Sequence, residues 1–351
     1  MTLRHDMSAW TGRVDAVEGD AGRRWHQVIR PLGGATEPGT ALIGFACDAG
    51  VARNHGRPGA ADGPQSLRRM LANLAWHGRP DDRLLDAGDV VCTGDELEAA
   101  QQAYGEQVAR LLQAGHAPIG LGGGHEIAWA AYLGIERALA GHPRLERLGI
   151  INFDAHLDLR RPEVPGLGTS GTPFLQIAEA QAAAGRDFRY LCIGAAEPAN
   201  TPALLQRAQS LGTRIVFDVD TGSASTELAL RDFIADSSAI YLTVCLDVLP
   251  PAVAPGVSAP SGLGIALHRA ISLLRETLRL CGHRTPASKL LLADVAEFNP
   301  RHDPACVLIK LIDLRGHVIV REAHAHGESQ VEGAVVKVMR SLPECESGDQ
   351  T

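Results

Sequence analysis

The run NFDAHLDLR, Asn152 to Arg160, places Asp154, His156 and Asp158 at alternate positions. On an extended strand such side chains leave from one face. Two carboxylates and an imidazole converging there make a ligand set for a hard or borderline divalent metal. Three other runs share the design. GLGGGHE delivers His125 after three consecutive glycines, which admit positive φ and close backbone approach. CLDVLPP delivers Cys245 and Asp247 at i and i+2, and DVAEFNP delivers Asp294 and Glu297. Pooled, these side chains suffice for two metal ions sharing a bridging water, whose pKa such a pair lowers towards neutrality. Oxygen-rich ligation with few histidines favours Mn2+ over Zn2+.

Each run has a plainer alternative. A glycine loop after a strand can cradle a dinucleotide phosphate, but GLGGGHE has no G-x-G-x-x-G continuation. DAHLD could be a solvated turn, yet LGIINF before it is too apolar for an exposed edge. Cys245 is open between metal ligand and small core residue, the usual fate of a free cysteine. Asp294 reads as a strand-end cap and Glu297 as functional.

Elements must hold these residues at one edge. ALIGFACDAG, RLLDAGDVV, APIGL, RLGIINFDAH, RYLCIGAA, TRIVFDVD, AIYLTVCLDV and KLLLADVAEF read as short buried strands. Helical patterns such as ELEAAQQAYGEQVARLLQAG and IAWAAYLGIERALAG separate most of them. Strands alternating with helices predict βαβ units and a central parallel sheet, whose C-terminal strand ends carry the chemistry. Residues 1–40 read as a polar N-terminal extension packed on the body. Residues 41–351 read as one catalytic domain, without internal repeat or linker.

Composition narrows the function. Hydrophobic residues make up 45% of the 351 and aromatics only 4%, so Ala, Leu, Val and Ile build the core. A net charge of −8 without a basic patch argues against nucleic acid. No apolar run reaches the roughly 20 residues that span a bilayer, and the N-terminus has no secretory h-region. The seven cysteines are scattered, with no C-x-x-C pair. They read as reduced thiols of a cytoplasmic protein.

Together the motifs resemble the ureohydrolase family of arginases, agmatinases and formimidoylglutamases over about residues 40–300. The nearest likeness within it is to the formimidoylglutamases, in the segment 44–77, NFDAHLDLR, SGTPF, LDVLPPAVAPGVSAPSGLG and DVAEFNP. The resemblance implies an α/β fold, three-layer α/β/α with a central parallel sheet. It implies a binuclear Mn2+ site, with His125, Asp154 and Asp158 on one metal, Asp154, His156 and Asp247 on the other, and Asp154 bridging. It further implies hydrolysis of N-formimidoyl-L-glutamate to L-glutamate and formamide in histidine degradation. Glu297 matches the acid that pairs with the cationic formimino or guanidinium group, whose parallel N–H donors suit two carboxylate oxygens. The partner is then a small amino-acid substrate, and a homo-oligomer is in keeping with the family. Arg160 is the first candidate for a substrate carboxylate, because guanidinium binds carboxylate bidentately. Asn200 is a weaker candidate for the amino-acid end, and Arg57 and Arg161 are substitutes for Arg160.

Three departures stand out. The family's second bridging carboxylate falls at Cys245, which puts filling of the second metal site in question. The histidine that arginases carry after the Ser-Gly pair is absent, with Phe174 near its place, which argues against arginase. The tail after about residue 302 does not match the family's closing helix. Its His324 and His326 could bind metal only adventitiously.

Overall fold

The structure is a computed structural model and describes residues 3–33, 37–79, 81–282 and 288–303. The tail with His324 and His326 lies outside them. The elements run β1 Leu3–Arg4, α1 Trp25–Val28, β2 Arg30–Pro31, β3 Thr40–Ala46, α2 Ala49–Arg53, α3 Gly63–Ala72, β4 Leu84–Val91, α4 Leu97–Gln113, β5 Ala117–Leu121 and α5 Ile127–Ala138. They continue β6 Leu148–Phe153, α6 Pro173–Ala183, β7 Arg189–Ala195, α7 Pro202–Ser210, β8 Arg214–Phe217, α8 Ala224–Ala235, β9 Ala239–Cys245, α9 Leu267–Leu280 and β10 Leu290–Ala296. The strands form one sheet in the order β1-β4-β3-β5-β10-β9-β6-β7-β8, with β2 also on β4. Every pairing is parallel except β1 on β4.

Nearly continuous apolar strands such as LGIINF are what a sheet covered on both faces requires. Alternate residues feed two separate cores. Ile151 and Phe153 join the cluster made with α3, α8 and α9, whereas Ile150 joins the cluster made with α4, α5, α6 and α7. The layers are therefore helix, sheet, helix, as the sequence predicts. The segment before residue 40 does more than drape the body. It supplies β1 and β2, and Trp10, Trp25 and Ile29 belong to the first core.

One ionic knot lies inside this half. Arg68 on α3 is 1% exposed, and its guanidinium spans Asp86 and Asp89 of β4. Nε and Nη2 donate to the two oxygens of Asp86 at 2.7 and 2.9 Å, and Trp10 Nε1 donates to the same carboxylate at 2.6 Å.

The topology also places the site. After β5 the chain jumps across the positions later filled by β10 and β9 to lay down β6. Strand order reverses there, and the crevice beyond the C-terminal ends of β5, β10, β9 and β6 is where such a fold binds ligands.

Candidate metal centre and active-site cavity

His125 sits in the loop between β5 and α5. The glycines before it are a steric necessity, since a Cβ on Gly123 would lie 1.8 Å from the Cys47 carbonyl oxygen. Asp154, His156 and Asp158 follow β6, Cys245 ends β9, Asp247 lies in the 3-10 turn after it, and Glu297 follows β10. Asp158 and Glu297 hold φ of +46° and +69°, in the left-handed region that non-glycine residues rarely occupy. Such strain is typical of sites where the surroundings over-determine a side chain.

These side chains converge. His125 Nδ1 lies 2.9 Å from Asp154 Oδ2 and 3.0 Å from Asp158 Oδ2. His156 Nδ1 lies 3.1 Å from Asp247 Oδ2 and 3.6 Å from Asp154 Oδ1. Ligand atoms of His125, Asp154 and Cys245 fall within 4.8 Å of one another, and so do those of Asp154, His156 and Asp247. Asp154 is common to both groups, the arrangement a bridging carboxylate needs. His125 Nδ1 is buried without a hydrogen-bond partner, facing oxygens that carry electron pairs. That donor set fits divalent cations.

Electrostatics point the same way. Burial raises the carboxyl of Asp154, but the His125 and His156 rings beside it outweigh that and hold the group well below the usual carboxylate range. Burial, then the Asp154 charge, pushes Asp247 up to about 6. Burial, then Glu126 and Asp247, pushes Glu297 up to about 8. Burial likewise raises the Cys245 thiol, followed by Asp154, Asp247 and Glu297. Buried acids crowded until they resist ionisation form a site short of positive charge.

A cavity of about 530 Å³ opens above this cluster. His125, His156, Asp158, Cys245, Asp247 and Glu297 are on its walls. Glu297 Oε1 accepts from the His125 backbone N–H at 2.9 Å, while its buried Oε2 has no partner. Arg160 and Arg161 line the cavity, exposed, and neither guanidinium has an ion-pair partner among the described residues. Phe174 is fully buried and edge-on to His125, with ring centroids 5.4 Å apart. It packs between His125 and Tyr190 and cannot carry a proton.

Three sequence expectations land elsewhere. Asn200 does not face the cavity. It is 3% exposed, and its amide accepts from Leu157 N–H and donates to the carbonyls of Ala155 and Ala196, so it shapes the ligand loop. Arg57 spends its guanidinium on the carbonyls of Val257 and Ser258. Asp294 is no strand-end cap: it points inward from β10 and accepts from the Tyr241 and Thr243 hydroxyls, each at 2.6 Å. Residues that sequence reading passed over support the ligands. Asn152 donates to Asp154 Oδ2 at 3.0 Å and to the Tyr190 hydroxyl at 2.9 Å. A polar side chain at a core-facing register of an apolar strand was the available signal.

Fold, topology and ligand cluster together define a class of metal-dependent α/β hydrolase. The Arginase family model matches residues 39–312, and the chain belongs to that family. Its sequence is 50% identical over 301 residues to the formimidoylglutamase of Chromobacterium violaceum, covering 85% of this chain and 92% of that protein. It is 48% identical over 342 residues to the formimidoylglutamase of Ralstonia nicotianae, covering 93% and 100%. Among solved structures it is similar to Trypanosoma cruzi formiminoglutamase with Mn2+, with a TM-score of 0.70, 26% identity, and coverage of 82% of this chain and 94% of that one.

Proposed function

We propose that this protein hydrolyses N-formimidoyl-L-glutamate to L-glutamate and formamide, as a cytoplasmic enzyme of histidine degradation. The observation that carries the reading is one cavity joining three things: a cluster fit for two cations, an unpartnered buried carboxylate oxygen on Glu297, and the guanidinium groups of Arg160 and Arg161, which have no ion-pair partner among the described residues. The curated relatives supply the substrate.

Two Mn2+ ions would be held by His125, Asp154, Asp158 and Cys245 on one side and by Asp154, His156 and Asp247 on the other. When bound, they supply Lewis-acid polarisation and ready ionisation of water near neutral pH. The protein's own groups do the rest. Glu297 pairs with the formimino N–H donors and sets the carbon over the cluster, since a carboxylate matches an amidinium bidentately. Arg160 takes a glutamate carboxylate at the cavity mouth, with Arg161 beside it. Phe174 packs edge-on against the His125 ring. Net reaction adds water across the formimino carbon and breaks its bond to the glutamate nitrogen, which leaves with a proton.

The test is release of formamide and glutamate by Mn2+-loaded, reduced protein, with arginine, agmatine and guanidinobutyrate in parallel. Turnover confined to the formimino substrate is expected. Turnover of a guanidino compound alone would keep the fold's chemistry and reassign the substrate. Silence on all four would remove the enzymatic reading and make Cys245 the reason to examine.

A further inference from the structure

A line of buried polar atoms runs inward from His125. His125 Nε2 lies 3.1 Å from Thr243 Oγ1, and Thr243 Oγ1 lies 2.6 Å from Asp294 Oδ1. The other Asp294 oxygen accepts from the Tyr241 hydroxyl at 2.6 Å. Thr243 is fully buried, His125 and Asp294 are each 1% exposed, and β9 and β10 bring Thr243 and Asp294 into register as direct neighbours. We propose that Asp294 is a positioning residue for the metal centre, acting through Thr243 to fix His125 as the Nε2–H tautomer.

The assignment follows from counting protons. A hydroxyl has one hydrogen to give. The Asp294 carboxylate takes that hydrogen from Thr243, so the threonine oxygen is left as an acceptor. The neighbouring Tyr241 hydroxyl has already given its one hydrogen to Asp294 Oδ2, so the bond between Thr243 Oγ1 and His125 Nε2 takes its hydrogen from Nε2. In the neutral ring that a metal ligand must be, Nδ1 is therefore the bare nitrogen, and it points at Asp154 Oδ2 and Asp158 Oδ2. Three electron-pair donors facing one another repel unless a cation sits among them. The relay thus presents His125 to the metal with its lone pair already aimed, so no tautomer change is needed on binding. Without Asp294 the threonine hydrogen is free to turn towards Nε2. The opposite tautomer then becomes accessible, with Nδ1–H donating to Asp154 or Asp158 and blocking the ligand position. Histidine ligands held by such outer partners typically lose about 10- to 100-fold in metal affinity when the partner is removed.

This rests on the metal reading above, and the experiment separates the two. Mn2+ dissociation constants would be measured by EPR of the free ion for wild type, Thr243→Val, Thr243→Ser and Asp294→Asn, with melting temperatures of the metal-free proteins alongside. Thr243→Val keeps the shape and loses the hydroxyl, and Thr243→Ser does the reverse. The expected result is affinity reduced about 10- to 100-fold in Thr243→Val, reduced also in Asp294→Asn, and restored in Thr243→Ser. A role in packing would give the opposite order, with serine the damaging change. Wild-type affinity in Thr243→Val, or equal losses in Thr243→Val and Thr243→Ser, overturns the proposal. If Thr243→Val does not fold, wild-type affinity in Asp294→Asn overturns it alone. Absence of Mn2+ binding by the wild type would instead remove the metal reading itself.

Discussion

Glu126 offers a pH experiment whose size can be worked out beforehand. Its side chain is fully buried next to the metal-binding loop. Oε1 accepts the Gly50 N–H at 2.9 Å, and Oε2 has no partner. Desolvation raises its pKa from 4.5 to about 7, against the pull of its backbone hydrogen bonds. A raised carboxyl pKa means that the folded state holds the proton more tightly than the unfolded state. The group's contribution to stability is thus fully present below pH 4.5 and is lost as pH rises through about 7. At about 1.4 kcal/mol per unit, the loss totals about 3 kcal/mol. Glu126→Gln keeps the acceptor for Gly50 and removes the ionisation. In EDTA-treated protein, urea denaturation should find the two proteins within about 1 kcal/mol of each other at pH 5. At pH 8 the glutamine variant should be more stable, by up to about 3 kcal/mol. EDTA matters, because a cation in the neighbouring centre would itself restrain the pKa. A Glu126→Gln protein no more stable than wild type at pH 8 would refute the reasoning.

The other predictions concern separate parts of the molecule. Arg68→Met strips the counter-charge from two buried aspartates and should cost about 3–5 kcal/mol in urea denaturation; a loss below about 1 kcal/mol would show that Asp86 and Asp89 are relieved by other means. Arg160→Ala should lower kcat/KM for N-formimidoyl-L-glutamate about 10- to 100-fold, mostly through KM, since hydrogen bonds to charged groups contribute about 1.5–3 kcal/mol; an unchanged KM moves the carboxylate contact to Arg161. Cys245→Asp should tighten the weaker Mn2+ site in equilibrium dialysis, because a hard carboxylate replaces a thiol that burial keeps protonated. Unaltered stoichiometry and affinity would mean that residue 245 does not touch metal.

Much of this could be read from the chain because its signals were local. DAHLD, GLGGGHE and CLDV each carry ligands within a few residues of an apolar strand, so one motif fixed both a group and its place at a strand end. Alternating helical and apolar strand segments were enough to give the parallel sheet. What escaped was non-local or disguised by composition. Residues before position 40 look polar, yet Trp10 and Trp25 are core residues and two short strands pair there, a pattern too brief for periodicity to register. Asn200 sits in a loop whose sequence suits substrate contact, but only the folded arrangement shows its amide consumed by the Ala155–Leu157 backbone. Asp294 looked like a cap because a lone acid near a strand end usually is one. Its hydroxyl partners, Tyr241 and Thr243, lie more than 50 positions earlier, separated from it by 53 and 51 residues.

The central place of β10 has a bearing on how the enzyme comes into being. Leave β10 out, and the remaining strands fall into two half-sheets, β1-β4-β3-β5 and β9-β6-β7-β8, with no ladder between them. His125 belongs to the first half, and Asp154, His156 and Asp247 belong to the second. On a chain made from its N-terminus, each half can pair early, but β10 is the last described strand and the wedge that brings the halves to bonding distance. Glu297, directly after it, then fastens to His125 across 172 residues of sequence. A nascent chain short of this strand would therefore offer only half-formed ligand sets, too open to capture an ion firmly. A cation bound there would act as a rivet through the seam that β10 closes, and its loading would mark the half-sheets as joined.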